Sequence, residues 1–264
     1  MSLRNRLMRV ALFGVLPLVS ILCGEDTGMR ELLRADFDGN HFNRFEERAM
    51  KERNVTLVEG SGTDGSAAIL VAYVGSELGS ERVTFKYPLS KAVSQATLSF
   101  DVRFEEDFQW RRGGKLHGLG PLKPVTGGQE RRPDGWSARM MFEDDGKVST
   151  YLYEQKHRWR WGARKQTVNP VFDAGKWHHV VLQVSLNDPD QSNGMVSIRI
   201  DEHEVARVSK VRFRGKGGSE TLIQQLLFST FHGGHSEKWA PVDDSGQLTT
   251  VYAWFDNFSV VEGI

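Results

Sequence analysis

Short runs in which apolar and polar residues alternate recur along the chain, and a period of two commits most of it to strands. The clearest run, Gln95 to Phe104, puts Ala96, Leu98, Phe100, Val102 and Phe104 on one side, as a half-buried strand requires. Trp136 to Phe142 and Val148 to Tyr153 repeat the pattern around Glu143, Asp144, Asp145 and Gly146, which predicts a hairpin. Further strands are expected at Ala35 to Asp38, Leu57 to Glu59, Ala67 to Val74 and Glu81 to Tyr87. Downstream they are expected at Trp177 to Leu186, Val196 to Asp201, Glu204 to Val208, Leu226 to Phe231 and Thr249 to Val261. Met29 to Arg34 reads as a helical turn or linker, and no amphipathic helix is expected beyond a turn at Glu220 to Gln225. Two antiparallel sheets packed as a sandwich satisfy these strands, since each sheet buries one face. The 27 glycines suit the many tight turns such a fold needs.

Arg4, Arg6 and Arg9 precede an apolar run from Val10 to Cys23 that Glu25 and Asp26 close. Residues 1–24 therefore read as a signal peptide or N-terminal anchor, too short an apolar run for an ordinary spanning helix. A single domain over residues 34–262 is expected, secreted or associated with the cell envelope, with no transmembrane domain in the mature chain. Cys23 is the only cysteine, which excludes an internal disulfide. Lys plus Arg and Asp plus Glu both number 34, so any affinity for a polyanion must be local. Arg158, Arg160, Arg164 and Lys165 interleave with Trp159 and Trp161, yet no nucleic-acid motif accompanies them and no nucleic acid is expected as partner.

Ser137 and Arg139 are two residues apart on one predicted strand, and Tyr151 and Tyr153 repeat that spacing on its hairpin partner. Such pairs project from one face about 6.6 Å apart, the scale of one sugar. Ala138, Met140, Val148 and Leu152 form the opposing inward set, with Met141 breaking the polar side. Lys115 stands among Gly113, Gly114, Gly118 and Gly120, a run that permits tight backbone paths beside a ligand and reads equally as a basic surface turn. His117, His157, His232 and His235 are candidate bases near neutrality, whereas His178 and His179 read as structural or exposed. Trp110, Trp136, Trp159, Trp161 and Trp239 offer rings for stacking on sugars. Asp256 and Asn257 either organise a sheet end or bind a structural calcium. No catalytic metal or other cofactor is assigned. Glu143, Asp144 and Asp145 fall in a turn, which leaves a glycoside hydrolase without its strand-borne carboxylates.

Five segments taken in order carry more information than any one alone. They are Gly114 to Leu119, Gly135 to Met141, Tyr151 to Tyr153, Phe231 to Pro241 and Trp254 to Phe258. Together they resemble polysaccharide lyases of the alginate and glucuronan type, family 14-like, from about residue 95 to 262. The resemblance implies an all-β, concanavalin-like jelly-roll sandwich of two antiparallel sheets. It also implies catalytic or substrate-contacting roles for Lys115, Ser137, Arg139, Tyr151 and Tyr153. His117 stands where such lyases commonly carry proline. Around that set, His117, Trp136, His157, His232, His235 and Trp239 are the candidates for substrate contact. The expected function is β-elimination on an anionic polyuronate by a monomer. A non-catalytic, lectin-like carbohydrate-binding module on the same fold is the alternative.

Overall fold

The computed structural model describes residues 29–39 and 41–264, so the expected leader lies outside the described residues. The chain opens with β1 (Glu31–Ala35), helix α1 (Arg44–Met50), β2 (Val55–Val58), β3 (Ala68–Ser76) and β4 (Gly79–Ser80). It continues through β5 (Val83–Val93), β6 (Gln95–Phe104), β7 (Gly114–Gly120), β8 (Ser137–Phe142), β9 (Val148–Tyr153) and β10 (Ala163–Gln166). The last strands are β11 (Trp177–Ser185), β12 (Gly194–Ile200), β13 (His203–Val211), β14 (Ile223–His232) and β15 (Thr250–Glu262).

These strands form two antiparallel sheets. The larger has nine strands in the order β13-β12-β11-β6-β15-β3-β2, with β1 on β15 and β4 on β3. The smaller has six, in the order β10-β9-β8-β7-β14-β5. Strand β6 behaves as its alternation predicts: Ala96, Leu98, Phe100, Val102 and Phe104 are fully buried between the sheets. Each large side chain so buried contributes about 1.5–3 kcal/mol, and Phe85, Phe228, Phe255 and Phe258 continue the same core from other strands. Among the described residues, no helix is long and apolar enough to cross a membrane.

Three local expectations are corrected. Residues 31–35 form a strand where a turn or linker was expected, because Leu32, Leu33 and Ala35 bury against the core beside β15. Helix α1 lies in a stretch that shows no helical stripe, and its start is fixed by a capping box in which Asn43 and Glu46 satisfy each other's backbone N–H groups. The glycine-rich run around Lys115 is an internal strand of the smaller sheet, between β14 and β8. A Cβ on Gly114 would sit 2.1 Å from the Phe142 ring, and one on Gly118 would sit 2.1 Å from the Ala138 carbonyl oxygen. Those glycines let neighbouring strands and side chains close in; they do not make a surface turn.

Candidate active site

The outer face of the smaller sheet carries a groove of about 550 Å³. One transverse row of register partners crosses all six strands beneath it. From one edge to the other the row reads Arg164, Tyr151, Arg139, Gly118, Leu227 and Lys86. With strands about 4.8 Å apart, the row spans about 24 Å, room for several sugars side by side. Lys115 sits on the next row, opposite Met141 on β8 and Phe231 on β14.

A break in β7 decides which residues face the groove. The register shifts between Lys115 and Gly118 against β8, and between Leu227 and Phe231 on the β14 side. One extra residue in a strand is a bulge, which re-aims the side chains beyond it. Lys115 therefore lines the groove while both Leu116 and His117 point into the core. His117 packs against Phe100, Phe228, Phe255 and Phe258, with ring centroids 4.2–5.1 Å away. Its Nδ1 accepts the Ser229 N–H at 3.1 Å, and burial pushes its pKa down to about 3.

Arg139 is 7% exposed and has no carboxylate partner among the described residues. Its guanidinium carbon lies 5.4 Å from the centre of the Tyr151 ring. Lys115 Nζ stands over the same ring at 4.0 Å and donates to the Met141 Sδ at 3.1 Å, a weak acceptor. Burial first, and the neighbouring Arg139 second, hold the Lys115 pKa well below the ordinary lysine range, with Glu143 opposing. Tyr151 moves the other way: burial and the hydrogen bond with Tyr153 push its phenol up to about 12. The groove is also lined by Arg82, Lys86 and Arg164, which with Lys115 and Arg139 make five cations, and among the described residues no Asp or Glu lines it.

The other candidates separate by burial. Ser137 is fully buried and donates through Oγ to the Val125 carbonyl at 2.8 Å. Tyr153, also fully buried, accepts the Gly128 N–H at 2.8 Å and lies 3.4 Å, oxygen to oxygen, from Tyr151. Both stand behind the groove lining, tying the 125–128 loop and the Tyr151 phenol in place. His235 and Trp239 line the groove; His157 lies in the β9–β10 connection outside it.

Substrate contact fails for His117, Trp136 and His232, all fully buried. Trp136 donates its indole N–H to the Thr221 carbonyl and packs on Phe213. His232 pairs its Nε2 with the Gln109 carbonyl at 2.6 Å, and burial pushes its pKa down to about 4. Asp256 and Asn257 organise a sheet end: Asp256 accepts backbone N–H groups of Thr63 and Asn257, and Asn257 donates to Asp101. Among the described residues no three His, Cys, Asp or Glu side chains stand together as a metal site.

Arg82 and Lys86 escaped the sequence reading. The weak alternation before Tyr87 was their one signal, since Arg82, Thr84 and Lys86 share a face.

A family model described as Polysaccharide lyase 14 matches residues 75–258. A search of curated proteins finds no match. Among solved structures, a mutant of alginate lyase Aly36B with an alginate tetrasaccharide superposes with a TM-score of 0.70 at 18% identity, covering 89% of this chain and 98% of that one. Alginate lyase vAL-1 from Chlorella virus gives 0.62 at 17%, covering 81% and 90%. The endo-β-1,4-glucuronan lyase of the fungus Trichoderma reesei gives 0.57 at 17%, covering 88% and 95%. At these identities the likeness is one of fold.

Proposed function

We propose, since the chain belongs to the polysaccharide lyase 14 family, that it cleaves an anionic polyuronate by β-elimination and leaves unsaturated oligosaccharides. The observation that carries this reading is the buried, unpaired Arg139 beside Lys115 in a groove whose lining, among the described residues, holds Lys and Arg but no Asp or Glu. A buried charge without a counter-charge costs several kcal/mol. A sugar carboxylate is a counter-charge of the right shape, able to take two parallel donors from one guanidinium.

Elimination must break the C5–H and C4–O bonds of one sugar and form a C4–C5 double bond. Arg139 holds the carboxylate and stabilises the negative charge that spreads onto it as the C5 proton leaves. Lys115, the cation most readily neutral here, takes that proton on Nζ. Tyr151, kept protonated by its raised pKa, gives its phenolic proton to the departing O4 oxygen. The ammonium and the phenolate ring then lie 4.0 Å apart, so the proton is returned across a short path. Ser137 and Tyr153 act from behind, holding the loop and the Tyr151 hydroxyl.

A polymer too large to cross a membrane must be met outside the cell, and the basic-then-apolar start of the chain fits export. The activity is tested by incubating the protein separately with glucuronan, polymannuronate and polyguluronate and following ultraviolet absorbance from new double bonds. Growth in at least one, lost in Lys115→Ala, supports the reading. Saturable binding with no absorbance gain in any of the three would replace it with the carbohydrate-binding module.

A further inference from the structure

One carboxylate in the site's surroundings is left unused by the elimination. Glu143 is 4% exposed at the end of β8. It accepts the Ser149 hydroxyl at 2.5 Å, and both its oxygens accept Arg164 Nη1 at 3.2 Å. The partner is no ordinary surface arginine: Arg164 lines the groove, at the β10 end of the transverse row that contains Arg139. The pair spends a single nitrogen of the guanidinium. Nε and Nη2 have no protein acceptor among the described residues.

We propose that Glu143 is a positioning residue that fixes Arg164 as a second carboxylate-binding cation, for a uronate two sugars away from the one being cleaved. The spacing supports the assignment. The backbone positions of Arg139 and Arg164 are two strands apart, about 10 Å, and the Arg164 side chain runs from there toward Glu143. In a 1,4-linked uronate chain successive rings turn over, so carboxylates facing one side recur at every second sugar. The strands that carry Arg139 and Arg164 are thus spaced for two carboxylates of the same side. Tyr151, between them in the row, faces the intervening sugar. A planar fork needs its orientation fixed before it can pair with a carboxylate on two donors, and the buried Glu143 supplies that fixed end.

The inference rests on the polyuronate reading, and a double-mutant cycle tests it. The parent, Glu143→Gln, Arg164→Gln and the double variant are compared on the polyuronate that the parent turns over fastest. Arg164→Gln is expected to raise KM about tenfold and to change kcat by less than about twofold. Glu143→Gln keeps the shape and the Ser149 contact and is expected to raise KM in the same sense. The double variant is expected to match Arg164→Gln alone, because the carboxylate acts through the arginine. Arg164→Lys, which keeps the charge and loses the fork, is expected to recover part of the loss. Unchanged KM in Arg164→Gln, or additive losses in the double variant, overturns the proposal.

Should the parent form no double bonds, the elimination reading fails by itself. The same cycle is then read from calorimetric affinity for uncut polymer, with the same pattern expected and the same two results, unchanged affinity or additivity, against it.

Discussion

The two outer faces of the sandwich treat charge in opposite ways. On the larger sheet, Asp101 pairs with His179 at 2.6 Å and accepts from Asn257 at 2.8 Å. On the smaller sheet Arg139 is buried and Lys115 half-buried, and neither has a carboxylate within salt-bridge distance among the described residues. Paired charges stabilise a face; unpaired ones cost stability there, and a ligand carboxylate repays it. The same β-sheet chemistry thus gives a scaffold on one side and the proposed site on the other.

The strongest way to break this contrast is to remove the unpaired cation. Arg139→Ala is expected to lower the rate of double-bond formation about 10³-fold, while its melting temperature stays at or above the parent's. A large loss of stability would mean that Arg139 serves the fold. Next in size, Tyr151→Phe is expected to lower kcat about 10²-fold, the scale of a lost general acid. Activity should rise with pH as Lys115 loses its proton and hold until Tyr151 ionises near 12. Gly118→Ala sharpens the comparison from beneath, since its Cβ would meet the backbone of Ala138 and Arg139 at 2.1 and 2.6 Å. Overpacking of that kind costs about 1–3 kcal/mol, and denaturant unfolding together with lost activity would report it.

Acid stability separates core from surface. His117 and His232 have folded pKa values of about 3 and 4 against an ordinary 6.5. The unfolded chain therefore binds protons below pH 6.5 that the folded chain refuses. Their contribution is whole above pH 6.5 and falls by about 1.4 kcal/mol per pH unit for each histidine as pH drops toward 4. Asp256 partly offsets this: its pKa, raised to about 6 by burial, adds stability below pH 4 that is lost as pH rises through 6. With Asp256 offsetting one histidine, His117→Phe should leave these groups' contribution nearly level between pH 4 and 6 in unfolding titrations. The smallest effect belongs to the paired face. Asp101→Asn should cost about 1 kcal/mol and leave kcat/KM unchanged.

Much of this was legible in the residues. Alternation gave the sandwich and the buried side of β6, and the spacing of Ser137, Arg139, Tyr151 and Tyr153 put all four on one hairpin, β8 with β9. Parity failed at β7, where it puts Lys115 and His117 on one face. The bulge that separates them depends on how β8 and β14 pair with the strand, a tertiary fact that no local pattern carries. Burial of Ser137 and Tyr153 likewise comes from the 125–128 loop lying over them, set by contacts distant in sequence. Arg164 and Lys86 joined the site only once the register aligned six strands into one row. The capping signal from Asn43 to Glu46 was present, yet a seven-residue helix has too few turns to show a stripe.

The central claim is that the groove's unpaired cations exist to hold a sugar carboxylate. Comparing native polyuronate with the same polymer reduced at its carboxyl groups tests that most directly, with affinity and double-bond formation measured side by side. The account predicts tight, salt-sensitive binding and new double bonds on the native polymer, and neither on the reduced one. Equal affinity for the two polymers would contradict it.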